Sequence, residues 1–111
     1  MDFKNIFIVG SMGSGKTSIG KMLAKNNNLS FLDTDHEIIR DCGYSIPDIF
    51  KEFGEEHFRV LETEQLRKMN SIENHVISTG GGIILRDDNK KLMKDLGIII
   101  FLDININSQI D

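Results

Sequence analysis

The sequence predicts an α/β fold, an open parallel sheet with helices flanking it. Three observations carry that expectation. Short apolar runs alternate with segments of helical periodicity along the 111 residues, the pattern of parallel strands joined by crossover helices. Glycine clusters follow two of those runs directly, within residues 10–15 and at 80–82. No repeat, linker or low-complexity stretch interrupts the alternation, so residues 1–111 are expected to form a single domain.

The elements follow in order. Residues 6–9 are apolar and partly β-branched, and Gly10 bounds them, as expected of a buried strand. Residues 16–26 read as a helix with Ile19, Met22 and Leu23 on one face, ended by the asparagines at 26–28. "LSFLD" at 29–33 is a second short strand. "HEIIRDCG" is a short helix with Gly43 as its C-cap. "SIPDIF" opens another, with Ser45 and Asp48 spaced as a capping box and Pro47 tolerated in the first turn.

Residues 55–70 read as a long helix carrying Phe58, Leu61, Leu66 and Met69. "HVIST" at 75–79 is the third strand, and "RDDNKKLMKDLG" is a helix with a glycine stop. "IIIFLD" at 98–103 is a fourth strand, apolar enough to be buried on both faces. "ININSQID" places Ile106 and Ile110 four apart, like the first turns of one more helix. Met22, Met69 and Met93 are expected in the core, and Lys90, Lys91 and Lys94 on a solvated face.

Composition narrows the function classes. The chain is 40% hydrophobic and 27% charged, with a net charge of −4. A nucleic-acid binder carries a basic face, and nothing here argues for one; small anions, held by local groups, stay possible. Cys42 is the single cysteine, so no internal disulfide can form, which fits a reducing compartment. His36, His57 and His75 have no zinc-ligand spacing with it. The apolar run near the N-terminus is too short for a signal peptide or a membrane span, so a cytoplasmic location without a membrane partner is expected.

The chemistry starts at "GSMGSGKT". Gly10, Gly15, Lys16 and Thr17 satisfy G-x-x-x-x-G-K-[ST], between a strand and a helix. Backbone N–H groups must turn inward around a phosphate, which needs glycine dihedrals and no intervening side chains. The helix that follows offers amides and a favourable dipole. The loop's amides are therefore the expected phosphate ligands, with hydrogen bonds added by Ser18. Lys16 supplies a point charge for the outer phosphates, and Thr17 a hydroxyl for Mg²⁺.

A second group of candidates belongs to an acceptor. Asp33 and Asp35 lie where the second strand ends, and ligands of open α/β sheets bind beyond such ends. Residues two apart on a strand share a face, so both carboxylates would reach one cleft. Asp33 would hold a water of the metal shell, and Asp35 would accept a hydrogen bond from an alcohol. The alternative is a solvated helix start with Asp35 as N-cap. Arg59 can match a carboxylate bidentately; alternatively it pairs on the surface with Glu56 or Glu62. Gly80, Gly81 and Gly82 suggest backbone close to a ligand, or a tight turn.

Together these residues resemble the shikimate kinase family. The likeness rests on "GSMGSGKTSIGKMLA", on Asp33-Thr34-Asp35 in "FLDTD", on Phe58-Arg59-Val60-Leu61-Glu62, and on "STGGG", in order over essentially the whole chain. It implies a P-loop NTPase fold of the nucleoside-monophosphate-kinase type. It also implies transfer of the ATP γ-phosphoryl group to the 3-hydroxyl of shikimate with ATP and Mg²⁺, a step toward aromatic amino acids. By the same resemblance Gly13, Ser14, Gly15, Lys16, Thr17 and Ser18 bind the ATP phosphates, Lys16 and Asp35 are catalytic, Thr17 ligates Mg²⁺ and Asp33 holds it through water. Asp35, Arg59 and Gly81 bind shikimate, Arg59 through the carboxylate and Gly81 through its backbone.

The implied partners are small molecules acting on a monomer. The family continues for several dozen residues after its counterpart of Asp111. Its arginine-bearing lid, a further shikimate-gripping arginine, its last strand and its adenine-contacting segment have no counterpart here. That leaves two other readings open, a nucleotide-binding protein without turnover and a P-loop kinase for another alcohol such as gluconate.

Overall fold

Strand β1 (Asn5–Gly10), helix α1 (Lys16–Asn26), strand β2 (Ser30–Asp33) and helix α2 (Thr34–Cys42) form the first half of the chain. Helices α3 (Ile46–Phe53) and α4 (Glu55–Lys68), strand β3 (His75–Ser78), helix α5 (Asp87–Leu96) and strand β4 (Gly97–Leu102) complete it. Single 3₁₀ turns sit at Met69–Ser71 and Ile83–Leu85. The structure, a computed structural model, describes residues 5–10, 16–80 and 82–102, with only the backbone of Lys16. The helix expected from Ile106 and Ile110 lies outside them.

The four strands are parallel in the order β2-β3-β1-β4. Side chains on β1 alternate between two cores, as the pleat requires. Phe7 and Val9 pack with Ile77, Leu66 and Met93 beneath α4 and α5. Ile6 and Ile8 pack with Val76 and Ala24 beneath α1. Ile38, Ile49 and Phe58 knit α2, α3 and α4 into a satellite cluster. Each fully buried aliphatic or aromatic side chain contributes about 1.5–3 kcal/mol by area.

Local chemistry sets the helix ends. Gly43 caps α2 at φ 80°, its N–H donating to the Ile39 carbonyl. Ser45 caps α3 by accepting from the Asp48 amide, with a proline in the first turn. Across the α2–α4 contact, Asp41 Oδ2 accepts from Gln65 Nε2 at 2.7 Å and Lys68 Nζ at 2.8 Å. The Lys68 bond first, then that of Gln65, holds the Asp41 carboxyl below its ordinary value.

Two expectations are corrected. Met22 is 63% exposed and Ile19 is also on the surface; the face α1 buries is Gly20, Leu23 and Ala24. Gly20 is placed there by size, since a Cβ would lie 2.7 Å from Phe31 Cε1. Among the described residues strand β4 is outermost in the sheet, and Ile98, Ile100 and Phe101 are exposed there where burial on both faces was expected. Gly97 caps α5 as expected, its N–H donating to the Met93 carbonyl, but without a left-handed turn. It opens β4 in extended backbone, and a Cβ there would lie 2.6 Å from the Asn5 carbonyl carbon.

Gly97 is thus required for packing and not for its dihedrals. Gly97→Ala is expected to force β1 and β4 apart at their start and cost about 1–3 kcal/mol or more. Urea unfolding checks this through a lower midpoint at unchanged m-value.

Candidate active site

The sheet brings its carboxyl ends together. Ser78 pairs with Ile8 of β1 on one side and with Asp33 of β2 on the other. Thr79 fastens the end of β3 to β1, both its N–H and its hydroxyl donating to the Ile8 carbonyl at 3.1 Å. From β1 the chain crosses to β2 on one side of the sheet, and from β3 it crosses to β4 on the other. Such a reversal opens a crevice beyond the strand ends. Gly10, which ends β1, and Gly80, shortly past the end of β3, border it.

On the β1 side, Gly13, Ser14 and Gly15 lie outside the described residues, as does the side chain of Lys16. Helix α1 starts at Lys16, with Thr17 and Ser18 exposed in its first turn. That turn carries no acidic residue, whereas α2, α3, α4 and α5 each begin with Asp or Glu. The positive end of the α1 dipole is left uncompensated by the helix's own side chains, which favours an anion.

Thr17 and Asp33 line one groove of about 520 Å³ with Lys21, Phe31, His36 and Arg40. Asp33 also caps α2, its Oδ1 accepting from the Asp35 amide at 2.9 Å and the His36 amide at 3.4 Å. Asp35 is therefore not the N-cap. The strand-parity argument for it fails as well, because Asp35 already belongs to the first turn of α2. Among the described residues no cluster of three or more His, Cys, Asp or Glu could hold a metal ion. The Thr17 hydroxyl and the Asp33 carboxylate suit a hard cation that keeps most of its water, as Mg²⁺ does.

The β3 side is built around glycines. A Cβ on Gly80 would lie 3.1 Å from Asp35 Oδ1 and 3.1 Å from Glu62 Oε2. A Cβ on Gly82 would lie 2.7 Å from Cζ of Arg59. The turn thus presses bare backbone against two carboxylates and a guanidinium from different helices. Asp35 and Arg59 meet along this turn. Gly81 lies outside the described residues, but its two neighbours frame the contact.

Arg59 is held on two sides. Its Nη1 donates to Glu62 Oε1 at 2.8 Å and its Nη2 to Glu55 Oε2 at 3.2 Å, so the pairing with Glu56 does not form. Burial works against its charge, yet the bond to Glu62 and the charges of Glu62 and Glu55 hold its pKa above the ordinary value. Glu62 is fully buried. Burial pushes its carboxyl up, the Arg59 bond and charge pull it back, and the Asp35 charge pushes it up again; the net direction is upward. Glu62 Oε2 has no hydrogen-bond partner among the described residues.

Sequence reasoning gave Glu62 no role beyond its place in a motif and a surface pair. The available signal was its spacing, three residues after Arg59 on one helix face. Gly80 and Gly82 were noticed only as part of a triplet.

A family model for shikimate kinase matches residues 12–111. A shikimate kinase of Xylella fastidiosa (strain M12) is 48% identical over 107 residues, which cover 96% of this chain and 59% of that protein. A solved shikimate kinase from Acinetobacter baumannii, in complex with shikimate, superposes with a TM-score of 0.90 at 41% identity, covering 98% of this chain and 61% of that one. A gluconokinase from Sinorhizobium meliloti 1021 reaches a TM-score of 0.54 at 20% identity, over 88% of this chain and 56% of that one, a likeness of fold alone. The chain spans 59% and 61% of the first two relatives' lengths.

Glu62 also fixes a pH dependence. Its folded pKa is raised above the ordinary 4.5, so the folded state favours its protonated form. The resulting stabilisation is full below the unfolded value and is lost as pH rises through the folded one. Wild type minus Glu62→Gln stability is expected to fall as pH increases upward from 4.5. Urea denaturation of both proteins across that window measures it, and a flat or rising difference contradicts the assignment.

Proposed function

The chain belongs to the shikimate kinase family, and on that premise we propose that it transfers the γ-phosphoryl group of ATP to the 3-hydroxyl of shikimate. The amides of residues 13–18 and Lys16 hold the phosphates at the start of α1. Thr17 and Asp33 would hold Mg²⁺, Asp33 through water, and the ion would supply neutralisation of phosphate charge. Arg59 takes the shikimate carboxylate, Gly81 offers its backbone, and Asp35 orients the attacking hydroxyl and accepts its proton.

The observation that carries this reading is the placing of Asp35 against Gly80 and of Arg59 against Gly82, just beyond the carboxyl end of β3 and beside that of β1. A guanidinium has five donors, and Arg59 spends two of them on Glu62 and Glu55. The rest can serve an incoming carboxylate from a head already fixed in place. Proton acceptor and carboxylate anchor sit apart on one turn, as an acid carrying a distant hydroxyl requires. Phosphoryl transfer depends mostly on such positioning and on charge stabilisation.

Two measurements test the proposal. Arg59→Met alone would leave Glu62 buried without its cation, so the comparison is made in a Glu62→Gln background. There Arg59→Met is expected to weaken shikimate binding by on the order of 10–100-fold, the worth of a hydrogen-bonded charge. Binding of an ATP analogue is expected to stay unchanged; equal loss of both ligands refutes the role. Asp35→Asn is expected to lower shikimate-dependent ADP release by about 10²–10⁴-fold while shikimate binding is kept. Wild-type turnover in that variant removes Asp35 from the reaction, and absence of shikimate binding by the unmodified chain overturns the whole reading.

A further inference from the structure

A buried polar bridge one turn along α4 from Arg59 has no part in the chemistry above. Asn89, in the first turn of α5, is fully buried. Its Nδ2 donates to the Ile83 carbonyl at 2.9 Å. That bond fixes the amide's orientation, so its Oδ1 is left to accept, and it does so from Thr63 Oγ1 at 2.8 Å. Thr63 Oγ1 also lies 3.2 Å from the Arg59 carbonyl, one helical turn back. The single hydroxyl proton of Thr63 is thus directed between two acceptors.

Both ends of the bridge lie next to the candidate site. Ile83 directly follows Gly82, which touches the Arg59 guanidinium, and its N–H donates to the Gly80 carbonyl at 3.2 Å. Helix α4 therefore meets the glycine turn in two ways. At the crevice the Arg59 guanidinium lies against Gly82 and the Glu62 carboxylate against Gly80, and one residue further along Thr63 reaches the turn through Asn89. The crevice contacts press side chains against bare backbone without a hydrogen bond to it among the described residues. The second contact joins the Arg59 backbone to the Ile83 backbone through short, directional hydrogen bonds, which set the separation.

We propose that Thr63 and Asn89 are positioning residues, a strut that fixes the height of the glycine turn over α4 and so holds Arg59 where it grips a carboxylate. A buried network of this kind either has every member satisfied or fails. Here the Asn89 amide uses both a donor and its acceptor, and loss of the Thr63 hydroxyl leaves the buried Asn89 oxygen unmet. The turn and α4 then separate or rotate to recover a partner. A displacement near 1 Å at a substrate-positioning side chain is enough to lose binding and rate.

The functional part of this inference rests on the proposed role of Arg59, so the test has one arm that needs no ligand. Thr63→Val, isosteric and only half-buried at its site, is the principal variant; Thr63→Ser keeps the hydroxyl, and Asn89→Leu removes the other half of the bridge. In the 111-residue chain the NMR signals of the Arg59 Nε–Hε group and the Gly82 amide are expected to move in Thr63→Val and Asn89→Leu and to stay in Thr63→Ser.

By calorimetry, Thr63→Val and Asn89→Leu are expected to weaken shikimate binding about tenfold, within the coupling range of residues in one network. Thr63→Ser is expected to bind as wild type, and the ATP analogue to be bound equally by all four proteins. In the background of Arg59→Met with Glu62→Gln, Thr63→Val is expected to have no further effect. Unmoved Arg59 and Gly82 signals overturn the strut whether or not shikimate binds. An equal loss of affinity in both backgrounds also overturns it, because the bridge would then act on general stability and not through Arg59.

Discussion

The crevice side of this fold is organised around one buried charge pair, Glu62 with Arg59. A carboxylate without solvent is costly unless a cation and hydrogen bonds replace its water. Here the cation sits one turn back on the same helix, so α4 itself sets the geometry. The pair cannot swing freely, because Glu62 Oε2 is close against Gly80 and the guanidinium is close against Gly82. Helix and turn therefore constrain each other through charge on one side and missing side chains on the other. The Asp35 carboxylate enters the same space from α2 and raises the Glu62 pKa through its own charge. Three charged groups from two helices share one turn, and the charges of Arg59 and Asp35 act in opposite directions on the protonation of Glu62.

Most of the fold was legible because its signals are local. The start and stop of α1 at Lys16 and Asn26 follow from the loop motif and the asparagines, and the caps of α2 and α3 follow from Gly43 and Ser45. The misreadings are those where local pattern and tertiary position part. "IIIFLD" has the composition of a central parallel strand, yet among the described residues only β1 pairs with it, and composition does not encode sheet order. Met22 fits a helical stripe by spacing, yet the stripe that packs runs through Gly20, because Phe31 occupies the space a larger residue would need.

The candidate site divides the same way. The motifs were readable residue by residue, and so was the expectation that Asp35 and Arg59 share a space. Their environment was not. Asp33 reads as a metal-side acid, and the structure adds that it caps α2 and so sets the direction in which Asp35 leaves the strand. Glu62 looks like a surface acid in a run of charged residues and is instead fully buried. Thr63 and Asn89 lie 26 positions apart and belong to no motif. A network joined only in three dimensions leaves no periodic trace in a single sequence.

The two ends of the sheet carry different loads, and one asparagine relates them. At the amino end Asn5 is buried, its Nδ2 donating to the Ile72 carbonyl at 3.2 Å and, at a longer 3.5 Å, to the Leu96 carbonyl; its Oδ1 accepts from the His75 amide. These partners precede or open β3 and β4, so a single side chain sets where both neighbours begin to pair with β1. Asn5 stands opposite His75 and Gly97. Parallel strands rise by a fixed amount per residue, so a register fixed at the start is carried to the end. Ser78 arrives opposite Ile8, and the chain leaves β3 level with the end of β1. A slip of one residue would exchange the two faces of β3 and move Gly80 along the sheet, away from Asp35 and Glu62. The alignment of the carboxyl ends of β1 and β3 is in this sense a consequence of hydrogen bonds that Asn5 makes at the opposite end of the sheet.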